Sequence, residues 1–118
     1  MRYLILILLI STANAGEVAI ANEWCANIGG VFDRKLTRQS DGTYPDCITE
    51  AVAYEVGYVG HWEDIGQAYH YARMTGKEPG VALIVETDAD IEIVLRLSED
   101  LRYMKDGRTI IVIIDRRL

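Results

Sequence analysis

A chain of 118 residues, half of them hydrophobic, is long enough to bury one core and too short for two domains. Its formal charge of −6 gives no general attraction for a polyanion, which excludes the strongly basic classes of nucleic-acid binder. There is no repeat, low-complexity tract or linker.

At the N-terminus, Arg2 supplies a positive n-region, Tyr3 to Ile10 is an unbroken apolar run, and Ala13-Asn14-Ala15 is a small-x-small cleavage signal. Residues 1–15 therefore read as a secretory signal peptide, leaving 16–118 as a single periplasmic or secreted domain with no stable membrane insertion after cleavage. The apolar run falls well short of the roughly 20 residues that span a bilayer; an uncleaved amphipathic anchor is the alternative. Loss of Arg2 takes the formal charge from −6 to −7.

Export decides how two cysteines are read. In an oxidising compartment, Cys25 and Cys47 allow one intramolecular bridge. A loop of this size makes it worth about 3 kcal/mol in the chain-entropy model. A metal site is the weaker alternative, because there is no CxxC pair and His61 and His70 are not at finger spacing.

The mature chain opens with a short helix over Glu17 to Ile28, broken by Gly29-Gly30. Val31 to Leu36 alternates like a strand, and Ser40-Asp41-Gly42 is a hairpin signal. Strands are expected at Tyr44 to Thr49 and Val52 to Tyr58. Trp62 to Thr75 has the helical period, with Trp62, Ile65, Tyr69 and Ala72 on one face and Gly76 as a stop. Val81 to Glu86 is the near-continuous apolar run of a strand buried on both faces. Asp88 to Met104 is a second helix capped by Thr87 or Asp88, and Ile110 to Ile114 is a last strand. A meander followed by a strand-helix-strand crossover gives an α/β fold, a mixed sheet flanked by helices.

A hairpin turning at Glu50-Ala51 pairs positions that sum to 101, so Asp46 stands opposite Glu55. Directly opposed residues have beta carbons about 5 Å apart, and like charges there repel. A hard divalent cation between them resolves the repulsion, and oxygen ligands suit Mg2+. A solvated face, or a register shifted by one residue, is the competing reading.

The segments "DGTYPDCITE" and "YEVGYVGHWEDIGQAYHYARMTGKEPGVALIVE" resemble small members of the PD-(D/E)XK nuclease superfamily over roughly residues 41–86. The resemblance implies a restriction-endonuclease-like core, α-β-β-β-α-β-α-β in this chain. Asp46 and Glu55 match the two acids that bind metal, and Gln67 and Tyr71 match the QxxxY pattern of RecB-like branches. At i and i+4 these two share a helix face, opposite Trp62 and Ile65, although an ordinary amphipathic helix would also place them so. The superfamily lysine is missing: Gly57 stands two residues after Glu55, and His61 stands where close relatives often carry Lys before the Trp. His61 is either a general base or metal ligand, or a neutral helix-cap side chain.

The resemblance implies an exported nuclease that hydrolyses DNA with Mg2+ or Mn2+. Asp46, Glu55 and the Val56 carbonyl would hold the ion, with Gln67 and Tyr71 orienting phosphate or water. The alternative is a catalytically inactive nuclease-fold module, of phage or plasmid origin, that binds a protein or nucleic-acid partner. A small disulfide-stabilised structural domain is the third reading. Arg34, Lys35 and Arg38, with Arg116 and Arg117, are the local basic clusters, and both are equally explained as solvated surface.

Overall fold

The computed structural model describes residues 13–60 and 62–117. Helix α1 spans Ala13–Asn27, α2 Arg34–Thr37, α3 Glu63–Thr75 and α4 Asp88–Tyr103. The strands are β1 Cys47–Ile48, β2 Val52–Tyr58, β3 Glu78–Val85 and β4 Ile110–Asp115. They form one mixed sheet in the order β1-β2-β3-β4. The β1–β2 pair is antiparallel, and β2–β3 and β3–β4 are parallel. The parallel steps are the ones that need helical crossovers, supplied by α3 and α4.

Strand alternation divides the sheet into two faces. Val56, Ala82, Ile84 and Ile114 pack with Ile20 and Ala21 of α1 on one face. Leu83 and Val85 pack with Val94 of α4 on the other. β3 is covered on both sides, as the apolar run from Val81 predicts, but it begins three residues before that run, at Glu78, and stops at Val85, with burial from Pro79 to Val85. α4 begins where expected: the Thr87 side chain accepts Asp90 N–H while Asp90 Oδ2 accepts the Thr87 N–H, a complete capping box.

The disulfide forms between Cys25 and Cys47, with alpha carbons 5.8 Å apart. It ties α1 to the first strand of the sheet, and Gly30 packs against it. A beta carbon on Gly30 would lie 2.5 Å from Cys47 Sγ and 2.8 Å from Cys25 Sγ, so no larger residue fits. No helix among the described residues is long and apolar enough to cross a membrane. The charged and apolar parts of the expected signal peptide, residues 1–12, lie outside the described residues. Its expected cleavage point after Ala15 falls inside α1.

Two sequence expectations need correction. The strand over Val31 to Leu36 is reduced to one bridge, Val31 to Ile48. Asp33 instead caps α2, its side chain accepting the Lys35 N–H at 2.9 Å, and this local cap outweighs the alternation. The strand over Tyr44 to Thr49 shrinks to Cys47–Ile48, preceded by fully buried Pro45, which has no N–H to give a ladder.

Candidate functional site

The β1–β2 register pairs Cys47 with Tyr54 and Ile48 with Ala53, so the sum of 101 holds. Continued one step, it sets Asp46 opposite Glu55 on the sheet face that carries α3. Pairing as a strand stops there, and the Asp46 carboxylate takes over: Oδ2 accepts the Val56 N–H at 2.9 Å, while Asp46 N–H donates to Tyr54 O at 3.0 Å. A residue in an antiparallel ladder turns its N–H and C=O to the same neighbour, so the Val56 carbonyl also faces this edge. Its side chain lies on the opposite face, in the core.

Asp46, Glu55, Gln67 and Tyr71 line one pocket of about 370 Å³, together with Gly42, Thr43 and Tyr44. Four of the residues singled out in the sequence are thus brought together. His61 lies outside the described residues. Gly57, at even spacing from Glu55, lies on the same sheet face and is buried, so the position at which the resemblance expects a lysine carries no charge.

Glu55 is 7% exposed. Burial pushes its carboxyl up to about 9, helped by the neighbouring charges of Asp46, Asp64 and Glu17. None of the described residues that line the pocket is cationic. Tyr71 is also buried, and its phenol is pushed up to about 12 by burial and then by Glu55 and Asp46. It therefore stays protonated, a hydrogen-bond donor beside the acids.

Of the α3 face that groups Trp62, Ile65, Tyr69 and Ala72, only Ala72 is buried. The buried residues of α3 are Asp64, Ala68, Tyr71 and Ala72, whereas Trp62 is 52% exposed. Tyr71 therefore belongs to the face that packs on the sheet, and Gln67 lies on the exposed flank of that face. Small Ala68 and Ala72 let the helix approach the sheet closely, which the wide indole of Trp62 would prevent. Trp62 instead borders a separate apolar cavity of about 210 Å³ with Val59, Leu83 and Leu97.

Sequence reasoning missed Asp64 and the 41–44 loop. Asp64 stands at i−4 from Ala68 and i−7 from Tyr71, so helical spacing marks it as a polar residue on the buried row. The loop is held over the site by Asp41, whose Oδ2 lies 2.8 Å from His70 Nε2. Hydrogen bonds from the Thr43 hydroxyl and N–H, with a smaller contribution from His70, hold the Asp41 carboxyl down at about 2.

The residue types suit a hard divalent cation: two carboxylates on one face, a strand-edge carbonyl, and the oxygen-bearing residues Thr43, Tyr44, Gln67 and Tyr71 in the same lining. Among the described residues, no three His, Cys, Asp or Glu side chains converge as a metal-binding group, so Asp64 and Glu17 act on Glu55 through charge. No family model matches the chain, and no curated protein or solved structure matches it.

Proposed function

We propose that the protein is an exported, divalent-cation-dependent nuclease of the PD-(D/E)XK type. The observation that carries this reading is the opposed Asp46–Glu55 pair in a pocket shared with Gln67 and Tyr71. The helix, antiparallel strands, helix and parallel strand of the described fold support a restriction-endonuclease-like core. The Cys25–Cys47 disulfide supports a periplasmic or extracellular location.

Asp46, Glu55 and the Val56 carbonyl would hold Mg2+ or Mn2+. The chemistry such an ion supplies when bound is neutralisation of the two acids and Lewis-acid polarisation of a phosphodiester. The chain's own residues do the rest. The Val56 N–H fixes Asp46, and Tyr71 holds its phenolic proton where it can donate to a phosphate oxygen. Gln67, on the exposed flank of α3, presents an amide to the same group.

Gly57 favours a second reading, an inactive nuclease-fold module that binds nucleic acid or protein, because the described pocket lining contains no lysine, arginine or histidine. Nicking of supercoiled plasmid by the oxidised protein in Mg2+ and in Mn2+, beside Asp46→Ala/Glu55→Ala, separates the two. Cleavage lost in the double variant is expected. A well-folded protein that leaves plasmid and single strands intact in both metals refutes hydrolysis and leaves the binding module.

A further inference from the structure

A second polar groove lies on the outer flank of α3, with a volume of about 570 Å³, lined by Gly66, Tyr69, His70, Ala72, Arg73 and Arg108. It concentrates two arginines and a histidine in a chain of charge −6. Arg73 is exposed and forms no ion pair with a carboxylate among the described residues; its Nη2 lies 3.3 Å from His70 Nδ1. Because a guanidinium only donates, Nδ1 is the acceptor and Nε2–H of the same ring donates to Asp41. Arg108 meets Glu78 at 3.5 Å, with the two side chains 61% and 49% exposed. An exposed pair of this kind contributes about 0–1 kcal/mol and yields readily to a phosphate.

The groove is held in shape. The Asp106 carboxylate accepts the N–H groups of Arg108 and Thr109, and the Thr109 hydroxyl is hydrogen-bonded to Tyr69 at 3.1 Å. This fixes the loop bearing Arg108 onto α3.

Gly66 supplies an independent observation. It sits inside α3, where glycine is less favourable than alanine by about 1 kcal/mol, yet a beta carbon there would meet nothing within 4 Å. Nothing in the fold requires a glycine at this position. A bare stretch of helix backbone at the groove is what close approach of a ligand requires.

We propose that the groove formed by Gly66, His70, Arg73 and Arg108 is a phosphate subsite that holds the backbone of a nucleic-acid strand next to the acid pair. The assignment to a nucleic-acid strand rests on the nuclease reading of that pair. The two sites abut on α3: Gln67 lines the acidic pocket and His70 the groove, three residues apart, with beta carbons about 5–6 Å from each other. Phosphates of one strand recur every 3.4 Å or so along the axis, so one strand reaches both sites.

Fluorescence anisotropy with a labelled single-stranded 12-mer tests this in the Glu55→Gln background, which is read by binding alone. Replacing Arg73 and Arg108 together by Gln is expected to weaken binding at least tenfold and to flatten the salt dependence by about 0.7 in log–log slope for each arginine, the single-strand value. Gly66→Leu is expected to weaken binding with the salt slope unchanged, since it fills the groove and removes no charge. Unchanged affinity and slope in the double arginine variant, with melting unaltered, would overturn the subsite. So would failure of the Glu55→Gln protein to bind the oligonucleotide, or its displacement by equimolar inorganic phosphate. Arginine-dependent binding without any plasmid cleavage by the parent protein would leave the subsite standing and remove the hydrolytic reading. Cleavage that needs the acid pair, with binding indifferent to the arginines, would do the reverse.

Discussion

Replacing Glu55 by Gln should stabilise the metal-free protein, although it removes a residue central to the site. The carboxyl rises from 4.5 to about 9 on folding, chiefly through burial, with Asp46, Asp64 and Glu17 adding to it. A folded-state value above the unfolded one means that the folded protein holds this proton more tightly. Stability from this group is therefore intact below pH 4.5 and is lost as pH rises towards 9. At 1.36 kcal/mol for each pH unit above 4.5, the loss at pH 7 is about 3 kcal/mol. Gln has the same shape and does not titrate, so the variant should melt on the order of 10 °C higher at pH 7 in EDTA, and the gap should close near pH 4.5. Asp41, Asp106 and Asp115, all held at about 2, contribute stability that is lost only as pH falls below 3.8, outside this window. Thermal melts of both proteins at several pH values decide the matter. A parent protein whose melting point is flat from pH 5 to 9, or a variant less stable than the parent at pH 9, would show that burial does not hold Glu55 protonated.

Other outcomes follow from the same structure. Reducing the Cys25–Cys47 bridge should cost about 3 kcal/mol in denaturant unfolding, and plasmid cleavage should fall with it because the bridge anchors the strand that continues from Asp46. Gly30→Ala drives a methyl group into both sulfurs and should destabilise by roughly 1–3 kcal/mol, or leave free thiols detectable by alkylation. Thr87→Ala removes the capping box of α4 and should lower stability by about 1 kcal/mol without affecting cleavage. Tyr71→Phe should lower cleavage while melting changes little, since the ring remains buried and only the phenolic proton is lost.

The parts of the fold written in strong local signals were legible. The bridge followed from compartment and parity. The Glu50-Ala51 turn set a register that placed Asp46 against Glu55, and that register survives although β1 is only two residues long. β3 was marked by a near-continuous apolar run and α4 by a cap at Thr87 or Asp88, of which the fold uses Thr87. The misses have physical causes. At Val31 to Leu36 a period-2 pattern competed with an Asp33 cap, and the local hydrogen bond won. On α3 the period grouped Trp62, Ile65, Tyr69 and Ala72 on one face, but of these only Ala72 is buried, and the helix packs through Ala68, Tyr71 and Ala72 with Trp62 exposed. Tyr71 therefore serves the core and the site at once. The pairing of Asp41 with His70, 29 positions apart, closes the loop over the pocket and could not be read from either segment alone.

Whether Asp46 and Glu55 share a divalent cation is read by calorimetric titration with Mn2+ at pH 7, in two buffers of different ionisation heat. Shared coordination gives saturable uptake of a single ion with release of roughly one proton, because Glu55 must ionise to bind, and loss of that uptake in Glu55→Gln and Asp46→Asn. Absence of uptake by the folded parent protein, or uptake unchanged in Glu55→Gln, would contradict it.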